Sequence, residues 1–140
     1  MKKILFTVIF LMTLTTYSQE EKLEEGKEYD GWIYIEKSTQ GNIYYKHFKE
    51  NTIWFKFIYK KPKKHITFFQ EEVIVESYIV LYKFDCDKKE LGFQSSGYFT
   101  KEGLVDERQK NERMIKMKFP FPDTLEEFIL NYYCNKIKKN

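Results

Sequence analysis

This chain predicts an α+β fold: an antiparallel β-sheet of about six strands, arranged as a meander, with one C-terminal α-helix packed on it. Three observations carry that reading. Aromatic residues make up 19% of the chain, and they fall mainly in runs where apolar and polar side chains alternate, the period of a half-buried strand rather than of a helix bundle. One segment near the C-terminus instead repeats its apolar residues at helical spacing behind a proline and a capping residue. Polar turn signals separate the alternating runs, as hairpin connections do.

Residues 1–18 read as a secretory signal peptide. Lys2 and Lys3 precede an apolar stretch, Ile4 to Leu14, and the small residues Thr16 and Ser18 precede a cut ahead of Gln19. The stretch is too short and too weakly flanked for a permanent membrane span; an uncleaved leader acting as an anchor is the alternative. Removal leaves about 122 residues, enough for one domain with one core. No second apolar run of membrane length follows, so no transmembrane segment is expected once the leader is gone. Residues 19–28 are a polar lead-in, and 29–140 form the domain.

The elements follow in order. Gly31 to Lys37 and Ile43 to Phe48 read as a hairpin around Thr39-Gln40-Gly41-Asn42. Thr52 to Tyr59 is a strand with Ile53, Phe55, Phe57 and Tyr59 on one face and Trp54, Lys56, Ile58 and Lys60 on the other. Lys60-Lys61-Pro62-Lys63-Lys64 reads as a loop, because proline removes a ladder donor and the charges favour water. Glu72 to Cys86 is a long strand with a break or bulge near Glu76-Ser77. Leu91 to Thr100, Leu104-Val105 and Met114 to Phe119 complete the sheet, the polar run Asp106 to Arg113 lying between the last two.

Thr124 to Lys136 is the one helix, with Asp123 as N-cap and Glu126 three residues on. Leu125, Phe128, Ile129 and Tyr132 form its apolar stripe. Cys134 falls at the margin of that stripe, toward Leu130 and Ile137, so a bond from it to the sheet requires the helix end to roll or fray. One helix covers only part of the sheet's apolar face. The rest must curl, pair with another subunit, or stay exposed.

Charge and chemistry narrow the function. The chain carries +3, and losing Lys2 and Lys3 brings the mature domain near +1, too balanced for a dedicated nucleic-acid binder. Export brings an oxidising compartment, so Cys86 and Cys134 are most simply a disulfide. A redox pair is usually two residues apart, and a zinc site needs further ligands that His47 and His65 do not supply by spacing. No serine has a nucleophile signature and no glycine-rich phosphate loop occurs; the reading is a non-enzyme without metal or cofactor.

Two features remain as candidate binding residues. Lys60, Lys61, Lys63 and Lys64 concentrate positive charge, which suits acidic polysaccharide, anionic headgroups or an acidic protein face, or else is a solvated loop that protects a sheet edge. Trp54 lies on the lysine-bearing face of its strand, either a partner surface or packing under a helix or a dimer mate.

The order of elements resembles the surface-adhesin E family of small exported bacterial domains. The matching stretches are Tyr44-Tyr45, Ile53-Trp54-Phe55-Lys56, Phe84-Asp85-Cys86-Asp87-Lys88-Lys89 and Pro122-Asp123-Thr124-Leu125-Glu126-Glu127-Phe128, with Cys134 closing the helix. The resemblance implies a cysteine pair tying helix to sheet, and adhesion to host matrix or plasma proteins in its best-known member. That member is a lipoprotein, whereas this chain has no lipobox. Phe119-Pro120-Phe121-Pro122 also stands where the family usually carries a tryptophan. The expected function is an exported binding domain, periplasmic or at the cell surface, holding a host or envelope protein or a polyanion. The alternative is a structural or accessory periplasmic protein acting as a homodimer or in an envelope complex.

Overall fold

The computed structural model describes residues 22–139, so the expected leader at 1–18 lies outside the described residues. Seven strands pair antiparallel, each with its neighbour in sequence. They are β1 (Glu28–Tyr29), β2 (Trp32–Lys37), β3 (Gly41–Lys49), β4 (Thr52–Ile66), β5 (Glu72–Asp85), β6 (Glu90–Thr100) and β7 (Gly103–Gln109). Together with one α-helix, α1 (Leu125–Tyr132), they make the expected α+β meander. The short β1 is the end of the polar lead-in drawn against Ile33 and Trp32.

Alternation along β4 divides the side chains as its sequence requires. Ile53, Phe55 and Phe57 are buried on one face, and the side chains between them belong to the other. Register carries the division across the sheet: Phe55 opposes Tyr45 and Val80, while Trp54 opposes Lys46 and Leu81. Gly41 is required where β3 begins. A Cβ there would sit 1.9 Å from the Ile58 carbonyl oxygen, a backbone atom that cannot swing aside.

Helix α1 packs on the Phe55 face, rolled from its expected orientation. Its buried residues are Ile129 and Leu130, joined by Tyr133 and Ile137 from a π-helical turn, Tyr133–Ile137. Leu125 is largely exposed, and Phe128 and Tyr132 rim the core instead of centring it. Tyr133 stacks on Phe84 at 4.3 Å, so packing decides which side faces inward. The wider π turn, closed by the Lys138 N–H donating to the Tyr133 carbonyl at 2.9 Å, continues the roll. That rotation brings Cys134 to Cys86, and the two form the expected disulfide with Cα atoms 5.6 Å apart.

The helix start is displaced by one residue. Thr124, not Asp123, is the N-cap: its Oγ1 accepts from the Glu127 N–H at 3.3 Å. Glu127 Oε2 in turn accepts from the Asp123 N–H at 2.8 Å, the reciprocal logic of a capping box reaching one residue further back.

Three stretches differ from their expected form. The expected loop at Lys60-Lys61-Pro62-Lys63-Lys64 lies within β4. Pairing with β5 jumps from Ile58–Ser77 to Lys63–Val75, so Tyr59 to Pro62 bulge opposite Glu76, and Pro62 sits where the ladder needs no donor. The break expected at Glu76-Ser77 is therefore present, with its extra residues on the partner strand. Next, β7 extends through the polar run to Gln109, which an edge strand tolerates because water is at hand. Last, Met114 to Phe119 is not a strand. A 3₁₀ turn, Glu112–Met114, leads to a single bridge between Leu91 and Lys118. Ile115 and Met117 crowd Gly92, where a Cβ would come within 2.4 and 2.8 Å of them.

The outer half of the β4–β5 hairpin supplies the cover that one helix cannot. Beyond the bulge it reaches over β6 toward β7, and its own Val75 and Thr67 are buried. His65 stacks on Tyr98 at 3.7 Å, and its Nε2–H donates to Asp106 Oδ2 at 2.7 Å. A carboxylate only accepts, so Nε2 carries the proton. On this face the sheet curls on itself.

That contact gives the fold an acid-sensitive joint. The hydrogen bond from His65 holds the Asp106 carboxyl below its ordinary 3.8, against the opposing effect of burial. A carboxylate with a depressed folded pKa adds stability above its unfolded value and loses it as pH falls through its folded value. The melting temperature is expected to fall on acidification below pH 3.8, and Asp106→Asn is expected to flatten that part of the curve. Thermal melts of both proteins across this range check it. Identical slopes would show that the joint contributes nothing.

Candidate functional site

Trp54 stands on the face that α1 leaves bare. The pleat sends Trp32, Trp54, Ile79 and Phe99 out of neighbouring strands on this side, and Phe48 and Leu104 add to them. They line a groove of about 410 Å³ together with Lys46, His47 and Glu107. Phe48 meets Trp54 edge-on at 6.3 Å, and Lys56 Nζ lies 5.2 Å over the Trp32 ring, a cation–π arrangement. Gly97 keeps the floor low, since a Cβ there would come 2.8 Å from Leu104 Cδ1. Phe48 and Leu104 are about half exposed, at 55% and 50%. Lys46 opposes Trp54 across the β3–β4 pair, so the groove offers aromatic surface with a cation among it, which can seat an apolar or aromatic side chain of a ligand beside a polar group.

The four lysines occupy a different place. Lys60 and Lys61 are exposed in the bulge. Lys63 Nζ donates to Gln40 Oε1 at 2.6 Å and lies 4.7 Å over the Tyr59 ring, while Lys64 pairs with Glu72 at 2.8 Å. Lys63 also borders a second concavity, about 510 Å³, on the helix-bearing face. Phe57, Tyr78 and Tyr98 floor this cleft between the start of α1 and the β2–β3 turn. Burial raises the pKa of Tyr78 well above the usual 10, so its hydroxyl remains a donor at any physiological pH. None of the four lysines lines the groove around Trp54.

Cys86 and Cys134 serve the packing of α1 and line neither concavity. Among the described residues, no three His, Cys, Asp or Glu side chains gather as a metal site, and no helix is long and apolar enough to cross a membrane. Sequence reasoning missed the groove partners Ile79, Phe99 and Leu104, which come together only through register. It also missed Phe68 and Phe69, at the tip of the β4–β5 hairpin. Their signal was present: an aromatic pair where a turn normally carries polar residues.

Searches against protein-family models, curated proteins and solved structures return no match.

Proposed function

We propose that this chain is an exported, non-enzymatic binding domain that seats part of a host or envelope protein in the groove around Trp54, or holds a polyanion through Lys60, Lys61, Lys63 and Lys64. The observation that carries the reading is the set of aromatic side chains on the helix-free face, Trp32, Trp54 and Phe99, with Phe48 and Leu104 about half exposed beside them. The disulfide suits an oxidising compartment. The resemblance to surface-adhesin E adds a class of ligand, extracellular protein, without naming one.

The test is capture by the immobilised domain of candidate matrix, plasma and envelope proteins and of heparin. Trp54→Ala is expected to weaken capture of a protein ligand by about tenfold or more, since a central aromatic anchor is worth about 2 kcal/mol or more. Its melting curve should stay close to that of the parent. Undiminished capture by the variant would remove the groove from the reading. Protease treatment of intact cells separates the two locations: a surface protein is cleaved and a periplasmic one survives.

The same bare face favours a second reading, a homodimer or an envelope complex in which a partner sheet covers these side chains. Light scattering distinguishes it, because a dimer through this face should dissociate with Trp54→Ala.

A further inference from the structure

The tip of the β4–β5 hairpin displays two phenylalanines to solvent. Phe68 is 76% exposed and Phe69 82%. The turn that carries them is built, not loose. Gln70 N–H donates to the Thr67 carbonyl at 3.0 Å, Thr67 N–H to the Glu71 carbonyl at 2.9 Å, and Glu71 N–H to Thr67 Oγ1 at 3.2 Å. Gln70 takes the left-handed conformation, φ 64°, that closes it. Behind it, Thr67 is buried and the Phe68 N–H donates to Asp106 Oδ1 at 3.5 Å. A fixed turn thus holds two large apolar rings outward, where turn chemistry normally supplies polar side chains.

Ile66 and Ile74, each about half exposed, extend the apolar surface down the arm. Lysines follow behind it: Lys64 and Lys63 two and three residues from Ile66, then Lys61 and Lys60 in the bulge. From Lys60 to Ile74 the arm carries four lysines against two glutamates, Glu71 and Glu72, and Glu72 is paired with Lys64. Lys60 and Lys61 are exposed without an acidic partner among the described residues. Lys61 lies seven residues from Phe68, about 23 Å along a strand, so rings and cations reach one bilayer together when the arm lies along its surface, the rings at the acyl boundary and the lysines among the headgroups.

We propose that this hairpin tip docks the protein on an anionic lipid surface, with Phe68 and Phe69 entering the interfacial layer and Lys60, Lys61 and Lys63 meeting the headgroups. The rings supply apolar burial, and the lysines supply attraction that salt screens. The docking is separate from the groove around Trp54, which lies on the other face of the sheet.

The experiment is co-sedimentation of the purified secreted protein with vesicles of phosphatidylcholine alone and of phosphatidylcholine mixed with phosphatidylglycerol. Binding is expected to the mixed vesicles, to weaken with salt, and to fall by about tenfold or more on changing Phe68→Ser and Phe69→Ser together. Both rings are exposed, so the double variant should melt like the parent. Changing Lys60, Lys61 and Lys63 to Gln should reduce binding to the mixed vesicles toward that seen with phosphatidylcholine alone. Phe69→Trp should add fluorescence that shifts to the blue only when mixed vesicles are present. Absence of vesicle binding overturns the proposal. So does binding that survives the double serine variant, or that is lost with Trp54→Ala instead, which would assign the contact to the groove. Retention on heparin through the lysines without vesicle binding would make the arm a polysaccharide site, and also overturns it.

Discussion

Phe55→Ala is expected to destabilise the fold by about 3–5 kcal/mol, the range for removing a large aromatic side chain from a packed core. Phe55 is 0% exposed and sits in the middle of the central strand. It meets Phe84 edge-on at 6.0 Å and belongs to the cluster that includes Ile129 and Leu130 from α1. The cavity would therefore open at the junction of sheet and helix, where neither side can collapse without undocking the other. A domain of this size has about 5–15 kcal/mol in total, so much of its stability rests there. Urea unfolding of parent and variant measures the loss. A loss below about 1 kcal/mol would mean that the helix and sheet do not share this core.

Cys134→Ser is expected to cost about 4 kcal/mol in the chain-entropy model, since the bond spans 48 residues of sequence. At roughly 4 °C for each kcal/mol in a domain this size, the drop in melting temperature should be large. The variant should still fold. Tyr133 remains stacked on Phe84 and donates its hydroxyl to Asn51 Oδ1 at 3.1 Å, so the helix end keeps other ties. Differential scanning calorimetry gives the shift, and mass spectrometry of the non-reduced protein should show the two cysteines joined. Two alkylatable thiols in native protein would contradict the pairing.

Much of the fold was legible because β4 writes its two faces into strict alternation, and burial of Ile53, Phe55 and Phe57 follows from it. The helix was legible as an element but not in its roll. Local spacing favours Phe128 and Tyr132, whereas the stacking of Tyr133 on Phe84 and the bond to Cys86 pull the helix toward Leu130. Lys60 to Lys64 misled for a related reason. Charge and proline argue correctly against a regular ladder, yet a bulge lets the strand resume beyond them. Met114 to Phe119 alternates like a strand, but a single backbone bridge is all the pairing it has. For the candidate site, the exposed side of Trp54 could be read from the pleat. Its companions Phe99 and Leu104 could not, since they lie more than forty residues away and arrive by register alone.

The helix-free groove is the surface on which the proposed function stands, and crosslinking from its centre tests it whatever the ligand proves to be. A photo-reactive benzoylphenylalanine in place of Trp54, in protein made by its own cells or mixed with candidate ligand proteins, should yield one discrete adduct on irradiation. The same group in place of Lys110, exposed on the chain beyond β7, should yield none. Adduct at the groove position alone, with a mass other than that of two copies of the chain, is the result expected of a binding domain. No adduct at position 54, or the same adducts from both positions, would contradict it.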